Sequence, residues 1–197
     1  MTAKTIFDLA GASLVTGTPD DAALIVIDAQ EEYRSGKLQL SGLEPALANI
    51  QKLLSHWRAQ GGTVIHIQHH ATGLFDPSGP YAAIMTEVAP KEGEAILTKS
   101  VPSSFGGTGL DELLQQGGFK KVVITGFMTH VCVSTTARVA DEKGYGVTVV
   151  SDATTTRDLP DAISGKTIPA ADLHRHELTM LGDTFAKIVA TRDILAA

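Results

Sequence analysis

The run Ala22-Ala23-Leu24-Ile25-Val26-Ile27 is apolar at every position and stops on a carboxylate, Asp28. Successive side chains of a strand point to opposite faces, so a strand apolar on both faces must be covered on both. That requirement is met by helices packed on each side of a sheet. The rest of the chain carries the same theme. Positions 43–60 have helical spacing, with Leu47, Ile50, Leu54 and Trp57 on one stripe and Gly61-Gly62 as the stop. Strands are predicted at 63–67, 95–98, 121–125, 146–150 and 186–190, and helices at 109–116, 130–143 and 171–181. Strand runs alternating with helical periods predict an α/β fold on a parallel sheet. Two stretches fit neither period: 68–94, with a short helix expected around 81–88, and 151–169. Long irregular excursions in a compact domain are commonly functional loops.

The chain has 197 residues, which suits one domain spanning 1–197. Hydrophobic residues at 43% and charged residues at 19% describe a globular chain able to bury a core. A formal charge of −6 argues against a nucleic-acid partner and against binding to anionic membrane surfaces. The single cysteine excludes an internal disulfide. Asp8 interrupts the first apolar stretch, so the opening residues do not read as a signal peptide. No apolar run approaches the roughly 18 residues of a membrane span. The cytoplasm is the expected location.

In an open α/β sheet, ligands bind beyond the carboxyl ends of the strands. That edge receives Asp28 after the first strand, Gln68 to His70 after the second, Lys99 after the third, Gly126 to Cys132 after the fourth and Asp152 after the fifth. A carboxylate, an amine and a thiol therefore leave the sheet at one end. Cys132 falls where a helix is expected to begin, and a helix N-terminus favours thiolate. A lone cysteine is otherwise a small buried hydrophobe. Asp28 is either a structural salt-bridge partner or a general base and acid. Lys99 is either a solvated surface residue or the cation that holds both in register.

The segments LIVIDAQ (24–30), ILTKSVPSSFGGTGLDELL (96–114) and VVITGFMTHVCVSTTARVADEKGYGVTVVSDAT (122–154) resemble the signature blocks of the isochorismatase-like cysteine hydrolases. That family includes nicotinamidases, N-carbamoylsarcosine amidohydrolases and isochorismatases. The likeness runs from about residue 22 to residue 190. It implies a three-layer α/β/α domain with a six-stranded parallel sheet. It also implies Asp28 as proton shuttle, Lys99 as its cationic partner and Cys132 as nucleophile. A non-proline cis bond is implied between Phe127 and Met128, with the amides of Met128 and Cys132 as an oxyanion hole. The implied activity is hydrolysis of a small-molecule amide or ureido C–N bond, and a homo-oligomer is expected. The alternatives are vinyl-ether cleavage of the isochorismatase kind and a thiol-reactive or binding protein on the same fold.

Nicotinamidases hold a divalent metal through an Asp and two His, the first two spaced D-x-H. Here the matching stretch reads His66-Ile67-Gln68-His69-His70, without the acidic ligand, so neither a metal nor another cofactor is expected. Gln30, Tyr33, His70, Phe105, Phe127 and His130 are the candidates for lining the substrate pocket. His174 and His176 fall on opposite faces of their helix and read as surface or interface residues, and Arg138 reads as structural.

Overall fold

The computed structural model describes residues 2–196. A sheet of six strands forms its centre, in the order β3 (Ala95–Lys99), β2 (Val64–His69), β1 (Ala22–Ile27), β4 (Lys121–Phe127), β5 (Gly146–Thr155) and β8 (Lys187–Val189). All of its pairings are parallel. β1 lies inside the sheet and none of its residues is more than 1% exposed, as its unbroken apolar run demands.

Helices cover both faces, giving three layers. Leu24 and Val26 pack with α2 (Leu43–Ala59) and α6 (Thr191–Leu195). Ala23, Ile25 and Ile27 pack with α3 (Leu110–Gln116), α4 (Ser134–Glu142) and α5 (Ala170–Thr184). The α2 stripe is buried as its spacing predicts, and the indole of Trp57, wholly enclosed, donates to the Ala22 carbonyl at 3.2 Å. A buried indole N–H left without an acceptor would cost about 1–3 kcal/mol.

The structure departs from the expected elements in several places. α1 (Ile6–Ala10) and α6 are too short to show a period in sequence. The helix expected at 130–143 begins instead as a π-helical turn, Thr129–Val133, before α4. The helix expected around 81–88 reduces to a 3-10 turn at Thr86–Val88. β5 continues to Thr155, because beyond Ser151 and Asp152 its Ala153 and Thr154 are again buried. A small antiparallel ribbon of β6 (Leu159–Pro160) and β7 (Thr167–Ile168) fills part of the 151–169 stretch.

Gly126 fixes how closely β4 approaches β1. Its φ is 103°, and a Cβ built there would stand 2.0 Å from the Ile27 carbonyl oxygen. Only glycine tolerates both constraints. The β4–β5 register shifts at this point, and β4 then delivers the turn that carries Cys132.

Candidate active site

Adjacent strands supply three of the site's side chains. Asp28 follows β1, His69 ends β2 and Lys99 ends β3. His69 and Lys99 are register partners, so both point to the face that carries α3, α4 and Cys132. By alternation Asp28 belongs with Leu24 and Val26 on the opposite face. Its φ of 49° breaks that alternation and swings the carboxylate toward Lys99. Asp28 and Phe75 are the two non-glycine residues with positive φ among the described residues, and both lie at this site. Backbone strain of this kind persists only where the surroundings enforce it.

The Lys99 ammonium is the centre of the arrangement. Nζ lies 2.8 Å from Asp28 Oδ2, 3.0 Å from His69 Nδ1 and 3.2 Å from Cys132 Sγ. Asp28, Lys99 and Cys132 are 0%, 2% and 6% exposed. A buried charge without a partner costs several kcal/mol, so Asp28 and Lys99 stand or fall together. Burial pushes the Asp28 carboxyl above its ordinary value, and Lys99 pulls it part of the way back. Burial and then the Asp28 charge push the Cys132 thiol up to about 12, against the pull of Lys99. The pull toward thiolate expected from a helix N-terminus is therefore opposed at this site. Cys132 sits in the π-turn ahead of α4, where burial favours the neutral thiol. Burial, then Lys99 and His70, push the His69 imidazole down to about 4, so it is neutral.

The other candidates divide. The Phe127–Met128 peptide bond is cis, and Met128 leads directly into the turn that holds Cys132. Gln30 is wholly buried and spends its amide on main chain rather than on a pocket. Its Oε1 accepts from the His69 N–H at 2.7 Å, while Nε2 donates to the carbonyls of His69 at 3.0 Å and Ala82 at 2.6 Å. Tyr33 and Phe127 are core residues, in edge-on contact at 5.7 Å between ring centroids. Phe105 is placed wrongly by the sequence reading. Its ring stacks on Tyr145 and lies under the Lys143 ammonium, at the C-terminal end of α4, although its neighbour Ser104 is bonded to Thr136 in the first turn of that helix. His130 Nδ1 meets the Thr156 hydroxyl and anchors the turn to the chain after β5. His70 is only half-buried, and its amide donates to the Lys99 carbonyl. His174 is half-buried, and its Nδ1 lies 2.9 Å from the Thr129 hydroxyl. Arg138 is structural, bridging Ser134 and Glu177. The residue that sequence reasoning passed over is His69. The pairing of the second and third strands, once drawn residue by residue, would have put it beside Lys99.

The histidines of β2 do not assemble a metal site. His66 Nε2 is bound to Glu94 Oε2 at 3.0 Å, and Gln68 donates to the Thr98 hydroxyl. Asp28, His69 and Cys132 do bring an oxygen, a nitrogen and a sulfur within 4.8 Å of one another. The Lys99 ammonium contacts all of them, so the cationic position is already held by the chain's own charge. These residues do not fit a divalent ion while Lys99 keeps that place.

A carboxylate, an ammonium and a thiol thus meet at the carboxyl edge of a doubly covered parallel sheet, an arrangement chemically able to supply a nucleophile and a base. The profile of the isochorismatase domain matches residues 22–193, and the chain belongs to the isochorismatase family. It is 41% identical over 182 residues to a secreted isochorismatase effector of Verticillium dahliae, covering 91% of this chain and 93% of that one. It is 32% identical to a ureidoacrylate amidohydrolase of Serratia proteamaculans, over 69% of this chain and 70% of the relative. A crystal structure of an isochorismatase from Pseudomonas putida superposes with a TM-score of 0.93 at 42% identity, covering 98% of this chain and all of the other. Among the described residues no helix is long and apolar enough to cross a membrane.

Proposed function

We propose that this hydrolase cleaves an amide or ureido C–N bond of a small molecule through a thioester on Cys132. One observation carries the reading: a buried ammonium, Lys99, contacts both a buried carboxylate and the only thiol of the chain. Burial and the Asp28 charge favour the neutral thiol, so the nucleophile is made by transferring its proton to Asp28 as the substrate is attacked. A carboxyl whose burial already raises its proton affinity suits that transfer. The sulfur then adds to the carbonyl carbon, and the main-chain amides of Met128 and Cys132 receive the oxyanion. The C–N bond breaks as Asp28 returns the proton to the departing nitrogen, leaving a thioester and free ammonia or amine. Water, deprotonated by Asp28, adds to the thioester carbonyl. Collapse releases the acid and restores the thiol. The Lys99 ammonium, in contact with both, balances whichever of Asp28 and Cys132 is anionic.

Similarity to an amidohydrolase of ureidoacrylate supports the choice of C–N chemistry. The test is ammonia release from a panel of small amides and ureides by the wild type and by Cys132→Ala and Cys132→Ser. Both variants are expected to fall at least about a thousandfold while unfolding as the wild type does. Unchanged turnover in Cys132→Ala ends the nucleophile assignment. Conversion of isochorismate with no ammonia from any amide selects vinyl-ether cleavage instead.

A further inference from the structure

The site contains a fourth polar side chain that the mechanism above does not use. An ammonium has three N–H donors, and Lys99 has three partners: Asp28 Oδ2, Cys132 Sγ and His69 Nδ1. A protonated lysine can only donate, so His69 Nδ1 must accept, and the neutral ring carries its proton on Nε2. The fold invests heavily in keeping the ring there. The Gln30 side chain closes a two-way clamp on the His69 main chain, accepting its N–H and donating to its carbonyl. Phe75, held at a φ of 56°, sets its ring 5.3 Å from the imidazole. Lys99 lies beside it in register. His69 Nε2 has no hydrogen-bond partner among the described residues, and the side chain is only half-buried.

We propose that His69 is a two-ended residue of this site: Nδ1 positions the Lys99 ammonium between Asp28 and Cys132, and Nε2–H donates to an acceptor on the substrate. The inference rests on the hydrolase reading for its second half only. A ring nitrogen of His69 lies within 4.8 Å of Sγ, and Nε2 belongs to that same five-membered ring, so the donor faces a group carried near the carbon that the sulfur attacks. The matching substrate therefore bears a hydrogen-bond acceptor, a carbonyl or carboxylate oxygen, close to the scissile carbonyl.

The two ends are separated by two isosteric amides. In His69→Asn the carboxamide oxygen replaces Nδ1 and the far donor is lost. In His69→Gln the carboxamide nitrogen replaces Nε2 and the acceptor for Lys99 is lost. His69→Leu removes both. The first readout is the rate of Cys132 alkylation by iodoacetamide at a fixed, mildly alkaline pH, which needs no substrate. Without its anchor the ammonium stabilises thiolate less well, so the Gln and Leu variants should alkylate about tenfold more slowly, with Asn near the wild-type rate. The second readout is KM for whichever amide releases ammonia in the wild type. It should rise about tenfold in the Asn variant and much less in the Gln variant, the reverse order. A Gln variant alkylated at or above the wild-type rate overturns the positioning role. Equal KM values in the Asn and Gln variants overturn the donor role. Should the Leu variant not fold, the Asn–Gln pair decides alone. If no amide is turned over by the wild type, the C–N hydrolysis reading and the donor role fail together, while alkylation still decides the positioning role.

Discussion

At the scale of single residues, the site is governed by what burial does to charge. Cys132 is held as a thiol because desolvation and the neighbouring Asp28 oppose the anion more strongly than Lys99 favours it. Its alkylation by a neutral reagent should therefore keep accelerating as pH rises past the ordinary thiol value of 9.0. A plateau of the rate near neutral pH would show a resting thiolate and reverse that order of effects. The buried pair makes a second, thermodynamic prediction. Asp28→Asn leaves the Lys99 ammonium enclosed without a counter-charge and should cost about 3–5 kcal/mol in urea unfolding. Asparagine tolerates the left-handed φ at this position, so backbone strain does not confound the result. Adding Lys99→Met should recover most of that loss, because replacing both members of a buried pair is close to neutral. A double variant no more stable than the single one would show that the pair is not coupled. Asp28, Lys99 and Cys132 could be nominated from sequence because each stands at the end of an apolar run or beside a turn. His69 could not be separated from His70 in the same way. Which of two adjacent histidines faces the site depends on the last residues of a strand, where the predicted element ended too early.

At the scale of elements, the approach of β4 to β1 is set by the absence of one side chain. Gly126 combines a φ of 103° with a main-chain oxygen 2.0 Å from where a Cβ would stand. Gly126→Ala must separate the two central strands at the point where the nucleophile's turn begins. The expected outcome is insoluble protein, or a loss of more than about 4 kcal/mol with turnover abolished. An Ala variant of wild-type stability and activity would refute the close approach. The strands with unbroken apolar runs, and α2 with its stripe, were legible because period and burial agree. The 129–142 segment was legible only as a helix. Nothing in hydrophobic period distinguishes a π-turn from the first turn of an α-helix, and that difference sets where Cys132 lies relative to the α4 terminus. The misplacement of Phe105 has a similar origin, since the segment from β3 to α3 carries Gly106, Gly107 and Gly109, whose path no period constrains.

At the scale of the whole molecule, a sheet covered on both sides leaves its ionisable interior groups to decide stability in acid. His66 is 1% exposed within β2, with Nε2 at 3.0 Å from Glu94 Oε2, and Glu94 is also gripped by Arg58. Burial holds the His66 imidazole below its ordinary 6.5, and the carboxylate offsets this only in part. The unfolded chain thus takes up that proton more readily than the folded one. The stability this represents is intact above 6.5 and is lost as pH falls from there toward the folded value. Glu94 behaves in the same direction at lower pH. Burial pushes its carboxyl up, but Arg58, the Lys91 amide and His66 together draw it down to about 2 from 4.5. Its contribution is present above 4.5 and disappears between there and about 2, amounting to about 3 kcal/mol at most. Acidification should accordingly weaken the fold in two overlapping stages, read as the urea midpoint against pH. His66→Gln should flatten the first stage while leaving the second, and Glu94→Gln should lower the midpoint at neutral pH and remove most of the second. Variant curves that run parallel to the wild type through both intervals would show that acid sensitivity arises elsewhere in the molecule.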